Sequence, residues 1–290
     1  MKKNRFFILF FLVLVSVAFA QPVSEKYANG NIRNSGNYVS GKMEGIWKFY
    51  YESGKQRSEG MYKSGKADGF WIFFDVNGIK GSDGYYKADK LDSLWTFYSV
   101  DGKVTMAGTY KNDLLHGSWT DYFPSGAVSV KRYYENGKKS GEWLSYYEDK
   151  TLWKKESFKN DLKNGIHKQF YKTGKIEKIQ EYLNDELNGV WRYYNESGIM
   201  VSDVLFKHNM LEGKCRYYHP TGNISVKGRY KKNKRNGKWT EYYNNGQVSI
   251  SGCYQLDSKK GKWDYFLENG KLFKSEQFKD GKLFKSTSYE

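Results

Sequence analysis

The sequence predicts an all-β protein, an elongated antiparallel β-meander built from ten 24-residue β-hairpin repeats. Three observations predict it. A tryptophan slot recurs every 24 residues without insertion or deletion. Aromatic residues make up 18% of a chain whose mean hydropathy is only −0.81, a balance that suits many half-buried strands better than one deep aliphatic core. Each unit also carries two turn signals, separating runs of about seven residues with β-branched and aromatic content. A coiled β-solenoid or a closed barrel is the alternative arrangement of the same strands.

The chain of 290 residues begins with a segment unlike the rest. Lys2, Lys3 and Arg5 precede an uncharged apolar run from Phe6 to Val17, and Ala18-Phe19-Ala20 satisfies the small-x-small cleavage rule. Residues 1–20 are therefore expected to be a signal peptide, with an uncleaved anchor as the alternative. The mature protein is expected to be exported: periplasmic, outer-membrane-associated or secreted. Residues 21–44, with Gly30, Gly36, Tyr38 and Gly41 in phase, read as an N-terminal half-repeat or cap. Residues 45–284 hold the ten repeats, and 285–290 form a tail that has lost the pattern.

Within the repeats, the slot that opens at Trp47 continues through Trp71, Trp95, Trp119, Trp143, His167, Trp191, Cys215, Trp239 and Trp263. Glycine stands two residues before each slot except at Ser93. Tyr or Phe stands three and fifteen residues after every slot, from Tyr50 and Tyr62 to Phe266 and Phe278. One hairpin cannot bury these rings alone, whereas stacked copies can.

The first turn of each unit, such as "ESGK" at 52–55, is expected to be a tight two-residue hairpin loop. The second, such as "KSGKAD" at 63–68, is expected to be longer. A two-residue first loop sets Trp47 opposite Gly60 and Gly45 opposite Tyr62, with each large ring shielding a glycine on the neighbouring strand. The same meander puts Cys215 and Cys253 three strands apart, about 14 Å at ordinary strand spacing. A disulfide cannot span that distance, so two free thiols are expected.

The phrase "GMYKSGKADGFW" at 60–71 resembles the MORN repeat, and the full unit is similar to the bacterial MORN-variant repeats often labelled antitoxin components. The resemblance covers about residues 27–285. It implies a scaffold, a binding surface or a membrane-proximal module. The expected export signal sets this chain apart from a partner of an intracellular toxin.

No catalytic, cofactor-binding or metal-binding residues emerge. His116, His167, His208 and His219 occupy different places in the repeat. Cys215 and His219 lie four residues apart on a strand, about 13 Å, too far for one ion. Charge is more informative. The ten first-turn windows hold 6 Lys/Arg against 7 Asp/Glu, and the ten second-turn windows hold 17 against 8. One rim of the meander is therefore expected to be basic, with Lys63, Lys66, Lys87, Lys90, Lys231, Lys232, Lys234 and Arg235 as candidate contacts to an anionic partner.

The function expected from these features is that of a non-enzymatic exported scaffold, without cofactor, that mediates protein–protein or cell-envelope interaction through the basic rim. Peripheral membrane contact is compatible with it, and nucleic acid is not an expected partner of an exported chain. The alternative is a cell-wall glycan-binding module using exposed aromatic rings. Its Trp and Tyr density distantly resembles choline-binding repeats.

Overall fold

The computed structural model describes residues 20–290, so the expected signal segment lies outside the described residues apart from Ala20. All regular structure among the described residues is β-strand. The described residues divide into two compact units, the first ending at Ser93 and the second running from Leu94 to Glu290.

In the first unit, strands Gln21–Lys26, Ile32–Val39, Lys42–Tyr50, Gln56–Lys63, Lys66–Phe74 and Lys80–Lys87 each pair antiparallel with the next. In the second, the strands from Val104–Lys111 to Lys282–Ser288 continue the same neighbour-to-neighbour pairing. This is the β-meander of hairpin repeats that the 24-residue period requires. Three strands that carry a slot residue are broken at Ser140, Asn164 and Asn236. There the backbone N–H donates to Tyr133, Ser157 and Arg229 carbonyls at 3.0, 2.9 and 2.9 Å.

The two turns are the reverse of the expectation. The second turn is the tight one. Ser64 and Gly65 sit between the paired Lys63 and Lys66, with φ of 52° and 82°. Positive φ at both central residues defines a turn whose twist matches that of the flanking strands, which favours Asn, Asp and Gly. The same two-residue conformation recurs at Asn112-Asp113, Asn160-Asp161, Asn184-Asp185 and Leu256-Asp257.

The first turn is longer. Tyr51 N–H donates to the Lys55 carbonyl at 2.8 Å, and Gly54, at φ 85°, donates to the Tyr51 carbonyl at 2.9 Å. A bulge at Arg57 then shifts the register by one, so that Tyr50 faces Gln56 while Phe49 faces Ser58. The three-residue loop and the bulge compensate. Trp47 therefore does face Gly60, and Gly45 does face Tyr62, for a reason different from the expected one.

The ring itself leans the other way. A Cβ on Gly36 would lie 2.3 Å from the Trp47 ring, and one on Gly60 would lie 2.0 Å from the Trp71 ring. Both tryptophans thus cover the glycine of the strand before them, eleven residues earlier. Gly108 with Trp119, Gly228 with Trp239, and Gly252 with Trp263 repeat this at 2.0, 2.1 and 2.2 Å. The indole N–H of Trp47, Trp71, Trp143 and Trp263 donates to the carbonyl ten residues earlier, at 3.1–3.2 Å. Tyrosines from the slot fifteen residues on meet the indoles edge to face, as Tyr62 meets Trp71 at 5.3 Å and Tyr254 meets Trp263 at 4.8 Å.

Candidate functional site

The tight turns hold their places through hydrogen bonds to the preceding repeat. Asp161 N–H donates to the Lys139 carbonyl at 3.0 Å, and its carboxylate accepts the Lys139 N–H at 2.8 Å. Asp185 does the same to Lys163, and Asn233 to Leu211. Consecutive tight turns of a unit are therefore stitched side by side, and the lysines flanking them are displayed in a row. Lys63, Lys66, Lys87 and Lys90 are exposed in the first unit, and Lys111, Lys138, Lys159, Lys207, Lys231, Lys232, Lys234, Lys279 and Lys282 in the second. None of these thirteen makes an ion pair among the described residues.

Arg235 is placed differently from the other sequence candidates. It faces Tyr230 across the hairpin and lies flat on the Tyr254 ring, 4.0 Å from its centroid. Its guanidinium donates to Asp257 Oδ1 at 2.9 Å and to the Tyr254 hydroxyl at 2.8 Å. Lys139, Lys163 and Lys259 share this position, four residues before the slot, and stack on rings in the same way. Other repeats have Met43, Ala67, Leu91, Leu115, Leu187 or Leu211 there. These four cations belong to the aromatic face rather than to the rim.

Six tryptophans, Trp47, Trp71, Trp95, Trp119, Trp239 and Trp263, are only 1–6% exposed. Trp143 and Trp191 are half-buried. The difference follows from the residue eleven positions earlier. It is glycine before each of the six buried rings, but Arg132 before Trp143, Glu156 before His167, Gln180 before Trp191 and Val204 before Cys215. A side chain in that place prevents an indole from lying flush, so the ring is lifted or a smaller residue fills the slot. Four consecutive non-glycine residues at this position were the legible signal of a change in the face.

His167 keeps the work of the tryptophan it replaces. It is 5% exposed and packs against Tyr182, with ring centroids 4.7 Å apart and the planes tilted by 59°. Its Nε2 lies 2.9 Å from the Ser157 carbonyl oxygen, ten residues earlier, as the indole nitrogens do. The Ser157 N–H lies 3.3 Å from the same nitrogen. Nδ1 is buried without a hydrogen-bond partner, 3.7 Å from Glu156 Oε1. The imidazole and the Lys163 ammonium hold the Glu156 carboxyl below its ordinary range, against the effect of burial. His219 is likewise a stand-in. Its Nε2 donates to the Tyr242 carbonyl at 2.8 Å, as the Tyr51, Tyr147 and Tyr243 hydroxyls do one turn position per repeat.

Both cysteines are free. Cys215 is buried in a slot, and burial pushes its thiol up to about 11. Cys253 is exposed, opposite Lys238. No His/Cys/Asp/Glu cluster with metal-holding geometry occurs among the described residues.

The model of the MORN repeat variant matches seven segments, 43–64, 115–136, 139–160, 163–184, 187–208, 211–232 and 235–256, just over half of the chain. The chain belongs to the MORN repeat variant family. Each matched segment runs from the ring-facing position before a slot to the next tight turn, so the family's unit is the hairpin described above. No curated protein matches this MORN-variant chain. Among solved structures, it is similar to a chain of the TcdB2-TccC3-Cdc42 crystal structure, with 11% identity, 90% of this chain covered and a TM-score of 0.20. It is also similar to a chain of the Photorhabdus luminescens Tc holotoxin pore carrying TccC3-D651A, with 11% identity, 92% covered and a TM-score of 0.19. The MORN-variant chain spans 18% of the length of each of these chains.

Proposed function

We propose that this MORN-variant protein is a non-enzymatic, exported interaction scaffold whose tight-turn lysines contact an anionic protein or envelope surface. The observation that carries the reading is the row of exposed lysines without ion-pair partners, held at repeat spacing by turns that are bonded to one another. Such a row gives long-range attraction without consuming the ring-packed face. Burial of six tryptophan rings favours this reading over glycan stacking, because covered rings cannot receive a sugar. The export signal proposed for residues 1–20 would bring the row to the envelope.

Binding of the protein to vesicles containing phosphatidylglycerol, and to an envelope fraction, tests the reading. Binding is expected to weaken as salt is raised, because exposed charges are screened beyond about 10 Å at 0.1 M. A Lys231→Ser/Lys232→Ser/Lys234→Ser variant is expected to bind more weakly than the parent. Salt-independent binding, or equal binding by the variant, would reduce the lysines to a solubility device.

A further inference from the structure

The aromatic face of the second unit is interrupted where slot and partner are both polar. Between Glu156 and Gln180, the row that elsewhere alternates indole and glycine holds a recess of about 290 Å³. Its lining includes Lys154, Glu156, Lys163, His167, Lys178 and Gln180. The register explains the convergence. His167 faces Gln180 on one side, while Gln169, two residues on, faces Lys154 and Lys178 on its two flanks. Lys163 enters from the ring-facing position opposite Phe158.

Four ammonium groups, Lys168 included, against one carboxylate leave the recess cationic, and these charges are not matched by close internal pairs. Lys163 Nζ is 3.9 Å from Glu156 Oε1 and 5.1 Å above the Tyr182 ring. Lys154 rests on the Trp153 ring at 3.9 Å. Lys178 has no ion-pair partner among the described residues. The second, independent observation is His167 Nδ1, which has no hydrogen-bond partner on a ring 5% exposed and lies 3.7 Å from Glu156 Oε1 in the lining of the recess. A buried polar atom left unpaired costs free energy, and ligand sites are where such costs are recovered.

We infer that this recess binds a small hydroxylated oxyanion, a sugar acid or a sugar phosphate. The lysines supply charge for the carboxylate or phosphate. Glu156 accepts ligand hydroxyls, Gln180 both donates and accepts, and His167 Nδ1 gains the partner it lacks. The Tyr182 ring, which also lines the recess, offers a face for the sugar's C–H groups. The volume lies at the low end for ligand pockets, enough for one sugar-sized molecule. The site is independent of the tight-turn lysines.

Calorimetric titration of the protein with D-glucuronate and with glucose 6-phosphate tests the inference, with glucose and inorganic phosphate as comparators. At least one sugar anion is expected to bind with a Kd below about 1 mM, shifting the His167 ring nitrogen resonances. Whichever binds identifies the oxyanion as carboxylate or phosphate. Glucose and inorganic phosphate are each expected to bind about tenfold more weakly. Lys154→Gln/Lys178→Gln is expected to lower affinity by about tenfold or more, since bonds to charged groups are the strong ones, while its melt stays close to the parent's. His167→Phe keeps a stacked ring but loses Nδ1, and is expected to weaken binding as well. The Lys231→Ser/Lys232→Ser/Lys234→Ser variant is expected to bind as the parent does. Failure of both sugar anions to bind, an equal response to inorganic phosphate, or unchanged binding by the Lys154/Lys178 variant would overturn the inference.

Discussion

At the scale of single residues, the array rests on a two-residue rule: a glycine on one strand and an indole eleven residues later. The glycine is required for space, since a Cβ on Gly108 would lie 2.0 Å from Trp119. Gly108→Ala is therefore expected to cost about 1–3 kcal/mol through overpacking. Trp119→Ala is expected to cost about 3–5 kcal/mol, because it removes a buried aromatic and leaves a void. Denaturant melts of both variants measure this. His116 lies on the same strand as Trp119, Leu114–Tyr122. The rule also predicts a rescue. His167→Trp alone meets Glu156 and is expected to destabilise. Glu156→Gly/His167→Trp restores the common pair and is expected to melt above the single variant.

At the scale of the element, the hairpin is asymmetric in a way that its sequence disguises. The tight turn demands positive φ at two positions, and Leu256 fills the first at φ 50°. A branched apolar residue is strained there, whereas Asn reaches this region readily. Leu256→Asn is expected to raise stability by about 0.5–1 kcal/mol, read from the shift in denaturant midpoint. The second position serves as a clasp. Asp257 accepts both the backbone N–H and the side chain of Arg235, and these bonds hold its carboxyl below the ordinary value. Asn209 and Asn233 make the backbone bond without a charge. Asp257→Asn should therefore keep the clasp and lose only the ion pair. A depressed carboxyl contributes stability above its unfolded pKa, and this is lost as pH falls through the folded value. The midpoint difference between parent and Asp257→Asn is accordingly expected at neutral pH and should close in acid.

At the scale of the molecule, 48 Lys and Arg against 32 Asp and Glu give the formal charge of +16, and two groups of these cations differ in their physics. Thirteen exposed tight-turn lysines carry no ion pair among the described residues, and their removal should affect binding but hardly the fold, since surface substitutions usually stay within about 0.5 kcal/mol. Lys139, Lys163, Arg235 and Lys259 instead lie on aromatic rings. Arg235→Ser, which removes a stack on Tyr254 and a pair with Asp257, is expected to cost about 1 kcal/mol. The Lys231/Lys232/Lys234 serine variant is expected to melt with the parent. A comparison of these two melts separates the populations.

The period, the strand character, the cross-strand partners of Trp47 and Gly45, and the free state of both cysteines were legible in the sequence, because each depends on local spacing repeated without interruption. The excess of lysine in the second-turn windows was legible for the same reason. Which turn is tight was not. A three-residue loop plus the Arg57 bulge gives the same downstream register as a two-residue loop, so the pairing alone could not distinguish them. The direction in which each indole leans was also undetermined, since Trp47 has strands on both sides and only packing selects Gly36. Arg235 and Lys234 are adjacent in sequence and alike in charge. Strand alternation sends one to solvent and the other onto Tyr254, and that depends on where the hairpin turns. The recess around His167 is likewise tertiary. Lys154, Lys163 and Lys178 are spread over 25 residues, and only the pairing of adjacent strands gathers them around one imidazole.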